Sequence, residues 1–159
     1  MRLFALLCLL LSLVLAACGT IPSDPKDTLD NVRSRGELVV GVSPTPPWTT
    51  AEGPDRVGGT EVELIRGFAE RLGVRPRWVV GGEQSLVAEL EDGALDVAIG
   101  GFTKDSPWAA LAGATRPYAT APDKKGREQE HIMLVPMGEN AFLSELERYL
   151  DEQTGKTTR

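Results

Sequence analysis

Glu37-Leu38-Val39-Val40-Gly41-Val42 is a short apolar run, rich in β-branched residues, that follows Gly36. Such a run reads as a buried strand. Further along, Thr60-Glu61-Val62-Glu63 has the spacing of a capping box, a hydroxyl with a carboxylate three residues on. Val62, Ile65, Phe68, Ala69 and Leu72 then recur at helical spacing, and Gly73 suits a C-terminal stop. Arg77-Trp78-Val79-Val80 reads as a second strand, and Ser85 as the cap of a helix carrying Leu86, Val87 and Leu90 that ends near Gly93. Leu95 to Ile99 is a third strand and His131 to Val135 a further one. Asn140 opens a last helix with Phe142, Leu143, Leu146, Tyr149 and Leu150 on one face. Strand and helix in alternation predict an α/β fold, an open and mostly parallel sheet flanked by helices. From Ala119 to Glu130 the apolar residues are confined to Ala119 and Ala121. With Pro122, Lys124, Lys125, Gly126 and Arg127, the stretch reads as an exposed loop.

The 159 residues suffice for one domain with appendages. Hydrophobic residues at 42% and charged residues at 25% exclude a disordered or collagenous chain. A net charge of −6 argues against nucleic acid as a partner and against electrostatic docking on anionic lipid. One histidine and two cysteines leave no basis for structural zinc or a disulfide framework, and neither a metal nor a cofactor is expected. An enzyme is the poorest reading. His131 is the lone histidine, expected at a strand end, and Glu61 and Glu63 fit the first turn of a capped helix. P-loop and dinucleotide glycine fingerprints are absent.

Arg2 precedes an apolar run from Leu3 to Ala17, broken only by Ser12 and short of the ~20 residues that span a bilayer, so residues 1–17 read as an export signal rather than a transmembrane anchor. Leu15-Ala16-Ala17-Cys18 resembles the lipobox of bacterial lipoproteins. That resemblance implies that Cys18 is lipidated, carrying diacylglycerol and an acyl chain such as palmitate, because several chains on one residue give a stable anchor. Ordinary signal-peptidase cleavage after Ala17, leaving a free thiol, is the alternative. Residues 18–27 would form a tether, 28–155 a single lobe and 156–159 a tail. The chain is then expected in the cell envelope, lipid-anchored and facing the periplasm or exterior. Gly19, where an aspartate would signal inner-membrane retention, leans a Gram-negative placement towards the outer membrane.

In open α/β sheets, ligands bind beyond the carboxyl ends of the strands. The three segments expected there are Pro44-Thr45-Pro46-Pro47-Trp48, Gly81-Gly82-Glu83-Gln84-Ser85 and Gly100-Gly101-Phe102-Thr103. They would bring one indole, exposed backbone amides and small polar side chains to a single edge. Prolines stiffen the Trp48 loop, and glycines let a ligand approach the backbone.

These segments also carry a family resemblance. Gly36 to Val42 resembles the opening strand of bacterial solute-binding proteins of family 3, the polar amino-acid receptors of ABC importers. Pro46-Pro47-Trp48 is similar to their aromatic ligand-stacking motif. Gly59-Thr60-Glu61-Val62-Glu63-Leu64, Gly93 to Thr103 and Pro117-Tyr118 resemble further family motifs, so the match runs from Leu29 to Tyr118. His131 to Gly155 resembles the return strand and the helix after it. The resemblance implies the first lobe of a two-lobed binding protein, with Trp48, Glu83, Ser85, Gly100, Gly101, Phe102, Thr103 and Trp108 as candidate ligand contacts.

Two departures stand out. The family places a carboxylate-clamping arginine where this chain has Trp108, and an indole does not replace a guanidinium. Lys104 and Arg116 supply charge, but away from the family's position. Trp108 would instead widen an aromatic surface for a flatter or cationic ligand. Second, twelve residues stand between Tyr118 and His131 in place of a second lobe. One wall buries less of a ligand than the 70–90% of good sites, so a monomer is expected to bind a small polar solute weakly unless a second copy or another protein supplies the opposite wall. The leading expectation is an accessory to an ABC-type transporter, with a permease as partner. The alternative is an interaction or dimerisation protein whose exposed Trp48, Phe102 and Trp108 form an apolar patch on the same edge.

Overall fold

In the computed structural model, which describes residues 24–155, β1 (Glu37–Val42) sits inside a five-stranded sheet. The chain after β1 first makes a separate antiparallel ribbon of β2 (Thr50–Ala51) and β3 (Val57–Gly58). In the main sheet β1 pairs in parallel with β4 (Arg75–Val80) on one side and β5 (Val97–Ile99) on the other. Beyond β5, β9 (Leu134–Val135) runs antiparallel, and β6 (Gly113–Ala114) pairs antiparallel with β9 at the far edge. The sheet is therefore mixed, with its three longer strands, β4, β1 and β5, parallel, as expected. The expected signal segment 1–17, Cys18 and the expected tail 156–159 lie outside the described residues.

Both faces of β1 are buried, which is why its sequence reads as a continuous apolar run. Leu38, Val40 and Val42 join the core beneath α1 (Thr28–Arg35), α2 (Thr60–Leu72) and α4 (Asn140–Thr154). Val39 joins a second core with Leu86, Val87 and Leu90 of α3 (Glu83–Asp92). Gly41 lies on that second face, where a Cβ would come within 2.7 Å of Leu95 Cδ1 and 3.0 Å of Leu86 Cδ2. Its lack of a side chain lets α3 settle on the sheet.

Several local expectations need correction. The N-cap of α2 is Gly59 and carries no side-chain cap, because Thr60 is already helical, Glu63 pairs with Arg66, and Glu61 turns into the protein. Ser85 is not a cap either. The helix begins at Glu83 after Gly82, and Ser85 donates to Glu89 at 3.2 Å on the exposed face. Strand β5 starts at Val97, not Leu95, because the Asp96 side chain turns back to accept the Val39 N–H at 2.7 Å and to pair with Arg35. The expected strand from His131 to Val135 is divided between the end of β8 (Glu128–His131) and β9. The last part of the expected tether is docked. Glu139 accepts the N–H groups of Lys26 and Thr28 at 2.7 and 2.8 Å, and Asp24 accepts that of Ala141 at 2.8 Å.

The largest correction concerns residues 119–130. β7 (Ala119–Pro122) pairs antiparallel with β8, so the expected loop is a hairpin. Its turn is built by Asp123, whose Oδ1 accepts the N–H groups of Lys125 and Arg127, and by Gly126 at φ +77°.

The core makes a direct prediction. Phe68 is fully buried, with ring centroids 5.8 Å from Phe142 and 5.6 Å from Tyr149. Phe68→Ala is expected to destabilise the lobe by about 3–5 kcal/mol, measured by urea unfolding.

Candidate functional site

Parallel pairing brings the carboxyl ends of β4, β1 and β5 to one edge, where the Ser43 N–H bonds the Ile99 carbonyl at 2.9 Å and the Gly81 N–H bonds that of Val42 at 3.1 Å. The chain leaving β1 closes on itself there. Thr45 and Thr49 exchange backbone hydrogen bonds at 3.0 and 3.1 Å, and the Thr49 hydroxyl donates to the Ser43 carbonyl. This small loop holds Trp48 against Gly101, where a Cβ would come within 2.7 Å of the indole Cδ1. Gly101 also has φ +67°, so both space and backbone require glycine.

Trp48 stacks on His131 with ring centroids 3.8 Å apart and planes tilted by 32°, and it meets Tyr118 edge-on at 6.4 Å. Between the Trp48 loop and the β7–β8 hairpin lies a cleft of about 410 Å³. Thr45, Trp48, Gly101 and Thr103 line it together with Gln129 and with His131, whose ring is stacked on Trp48. Pro122, Asp123 and Lys124 close its end. The hairpin thus stands where the two-lobed resemblance places the passage to a second lobe.

Under this cleft lies the buried carboxylate of Glu61. Its Oε2 accepts the N–H groups of Gly100 and Gly101 at 2.8 and 3.0 Å, and its Oε1 accepts the Tyr118 hydroxyl. Burial raises the carboxyl pKa despite these three donors, and burial together with Glu61 raises that of Tyr118. The amides expected to receive a ligand are therefore occupied by the protein's own carboxylate.

The eight candidate contacts do not form one group. Trp48, Gly101 and Thr103 meet in the cleft, while Gly100 is buried behind it on Glu61. Phe102 is 2% exposed and packs into the α3 core, so it contributes nothing to an apolar surface patch. Trp108 lies in a 3-10 turn (Pro107–Ala110), and its indole N–H donates to Glu83 at 2.6 Å. Glu83, Trp108 and the exposed Ser85 do not line the cleft. Lys104 pairs with Glu130, and Arg116 with Glu147 and Asp151, so both alternative cations are engaged.

His131, expected at a strand end, and Gln129, expected in an exposed loop, both line the cleft, because β8 pairs back onto β7. The Asp123-x-x-Gly126 spacing between two short runs was the available turn signal. Burial lowers the pKa of His131 from its ordinary 6.5, outweighing the nearby Gly101 carbonyl, which raises it. The folded state then binds fewer protons than the unfolded chain just below pH 6.5. The stabilisation is complete above that pH and is lost as pH falls through the folded pKa. Relative to His131→Phe, the native chain is expected to lose stability over that window, measured by chemical unfolding at a series of pH values. A difference that stays constant with pH would contradict this.

The chain matches bacterial extracellular solute-binding proteins, family 3, over residues 38–158. It is 35% identical over 92 residues to a probable ABC transporter extracellular-binding protein, YckB, of Bacillus subtilis, covering 54% of this chain and 32% of that protein. It is 38% identical over 99 residues to a membrane-bound lytic murein transglycosylase F of Vibrio cholerae, covering 60% of this chain and 18% of that protein. The chain thus spans a third or less of the length of these curated relatives. Against the arginine-bound form of domain 1 of the T. maritima arginine-binding protein, the TM-score is 0.67 at 28% identity, covering 77% of this chain and 98% of that one. Sheet order, the cleft at its carboxyl edge and these matches agree: the chain belongs to family 3 of the bacterial extracellular solute-binding proteins.

Proposed function

We propose that this chain is a lipid-anchored, non-enzymatic, one-lobed solute receptor of the cell envelope, an accessory to an ABC-type importer. It takes a small cationic or neutral polar solute in the Trp48 cleft. The observation that carries the reading is the cleft itself: an indole, two threonines and a glutamine line one pocket at the carboxyl edge of a family 3 sheet, with residues of the hairpin completing the lining. The arginine-bound single domain supports binding by one lobe. The names of the B. subtilis protein and of a Sinorhizobium fredii amino-acid ABC transporter periplasmic-binding protein support an importer and an envelope location.

The solute class follows from what the cleft lacks. No arginine lines it, the family's clamp position is Trp108, and Glu61 fills the Gly100 and Gly101 amides. A ligand carboxylate gains little here beyond Lys124, whereas a planar cation can use the Trp48 ring and the carbonyl and hydroxyl acceptors. The alternative, a protein-interaction surface on this edge, has less support, since Phe102 is buried and Trp108 is bonded to Glu83. No helix among the described residues is long and apolar enough to cross a membrane. The attachment proposed here is through Cys18.

The test is calorimetric titration of the full chain in detergent with arginine and with agmatine, its analogue without a carboxylate. Both are expected to bind within about threefold of each other and more weakly than about 1 μM, since one lobe leaves part of the ligand in water. Arginine binding tenfold tighter would reveal a carboxylate clamp and overturn the solute class. Binding of neither would overturn the receptor reading. Separately, intact-mass spectrometry is expected to find acylated Cys18 in the native chain, and Cys18→Ser is expected to shed the lipid and leave the membrane fraction.

A further inference from the structure

We propose that His131 is a ligand-contacting residue of the cleft, its Nδ1 hydrogen-bonding the planar N–H-bearing group of the solute while Trp48 stacks beside it. The inference rests on the receptor reading above and names a recognition atom within the same site.

Among the described residues, His131 Nδ1 is the buried side-chain polar atom left without a hydrogen-bond partner. An unsatisfied buried group costs about 1–3 kcal/mol, so such an atom calls for an explanation. Other buried polar side chains in the lobe are satisfied. Thr115 accepts the Met133 N–H at 3.0 Å, Asp96 holds Val39, Glu139 holds Lys26 and Thr28, and Glu61 holds both glycine amides. The exception belongs to a residue that lines the cleft and stacks on Trp48, with Nδ1 itself closed off from solvent.

The ring is well supported for such a role. The His131 backbone is bridged to Thr103 on one side and accepts the Tyr118 N–H at 3.0 Å on the other, while the next residue, Ile132, donates to the Phe102 carbonyl at 2.9 Å. These bonds anchor the backbone that carries the imidazole. A neutral imidazole offers one donor and one acceptor nitrogen, and its burial favours that neutral form. An acceptor nitrogen beside an indole face suits a guanidinium, amidine or amide N–H. Nδ1 is closed off from solvent beside the stacked indole, so a solute that reaches it displaces the packing around the ring pair, Trp48 included.

His131 is the single histidine of the sequence, which makes it its own reporter. The full chain, labelled with nitrogen-15 histidine in detergent, is titrated with agmatine while the ring nitrogen resonances and tryptophan emission are followed. Both signals are expected to move with one midpoint. His131→Phe keeps a ring against Trp48 but removes Nδ1, and is expected to weaken agmatine binding by about five- to tenfold, the size of one hydrogen bond. His131→Gln, which restores an acceptor, is expected to recover part of that loss.

If emission responds while the histidine resonances stay still, or if a folded His131→Phe chain binds as the native chain does, this inference falls and the receptor reading stands. If neither signal responds, both fall. Should His131→Phe fail to fold by circular dichroism, the titration of the native chain decides alone.

Discussion

One buried carboxylate ties the working edge of this lobe together. Glu61 projects from the first turn of α2, reaches the amides at the end of β5, and takes the hydroxyl of Tyr118 at the entry to β7. Three separate stretches of chain therefore meet on two oxygen atoms. Removing that group would leave two amides and a hydroxyl without a partner in a dry site, which costs far more than a surface ion pair returns. With Glu61 in place, Gly101 is held in its left-handed conformation and Trp48 rests on it. The ligand-facing geometry is thus a consequence of an internal polar network rather than of the apolar core alone.

The same network shapes the chemistry of the cleft. A pair of backbone amides at the end of a strand is well suited to an anion, and here that role is taken internally. The indole of Trp108, at the position where the resemblance implies an arginine, donates to Glu83. The cleft lining keeps Trp48, two threonines, Gln129, His131 and Lys124.

The hairpin supplies what a missing second lobe would otherwise leave open. β7 and β8 pair over four residues and carry Gln129 and His131 to the cleft, while the Asp123 turn closes its end.

Much of this was legible from the chain alone. The apolar run of β1, the periodicity of α2 and α4 and the alternation of elements determined an α/β sheet with its glycine and proline loops at one edge, because burial on both faces and helical spacing leave direct marks on residue order. The placing of Trp48, Gly101 and Thr103 at one edge followed from their position after the parallel strands, and the structure brings them together. The destinations of individual polar groups were not legible. Glu61 looked like half of a capping box and proved to be a buried cross-link 39 residues from the nearer amide it holds. Phe102 looked like a rim residue and lies in the core, while His131 looked like a strand end and forms a wall of the cleft. Local spacing records which face a residue occupies within its own element. Which donors meet a given carboxylate, and which ring meets a given indole, depends on how distant elements pack, and only the tertiary structure decides that.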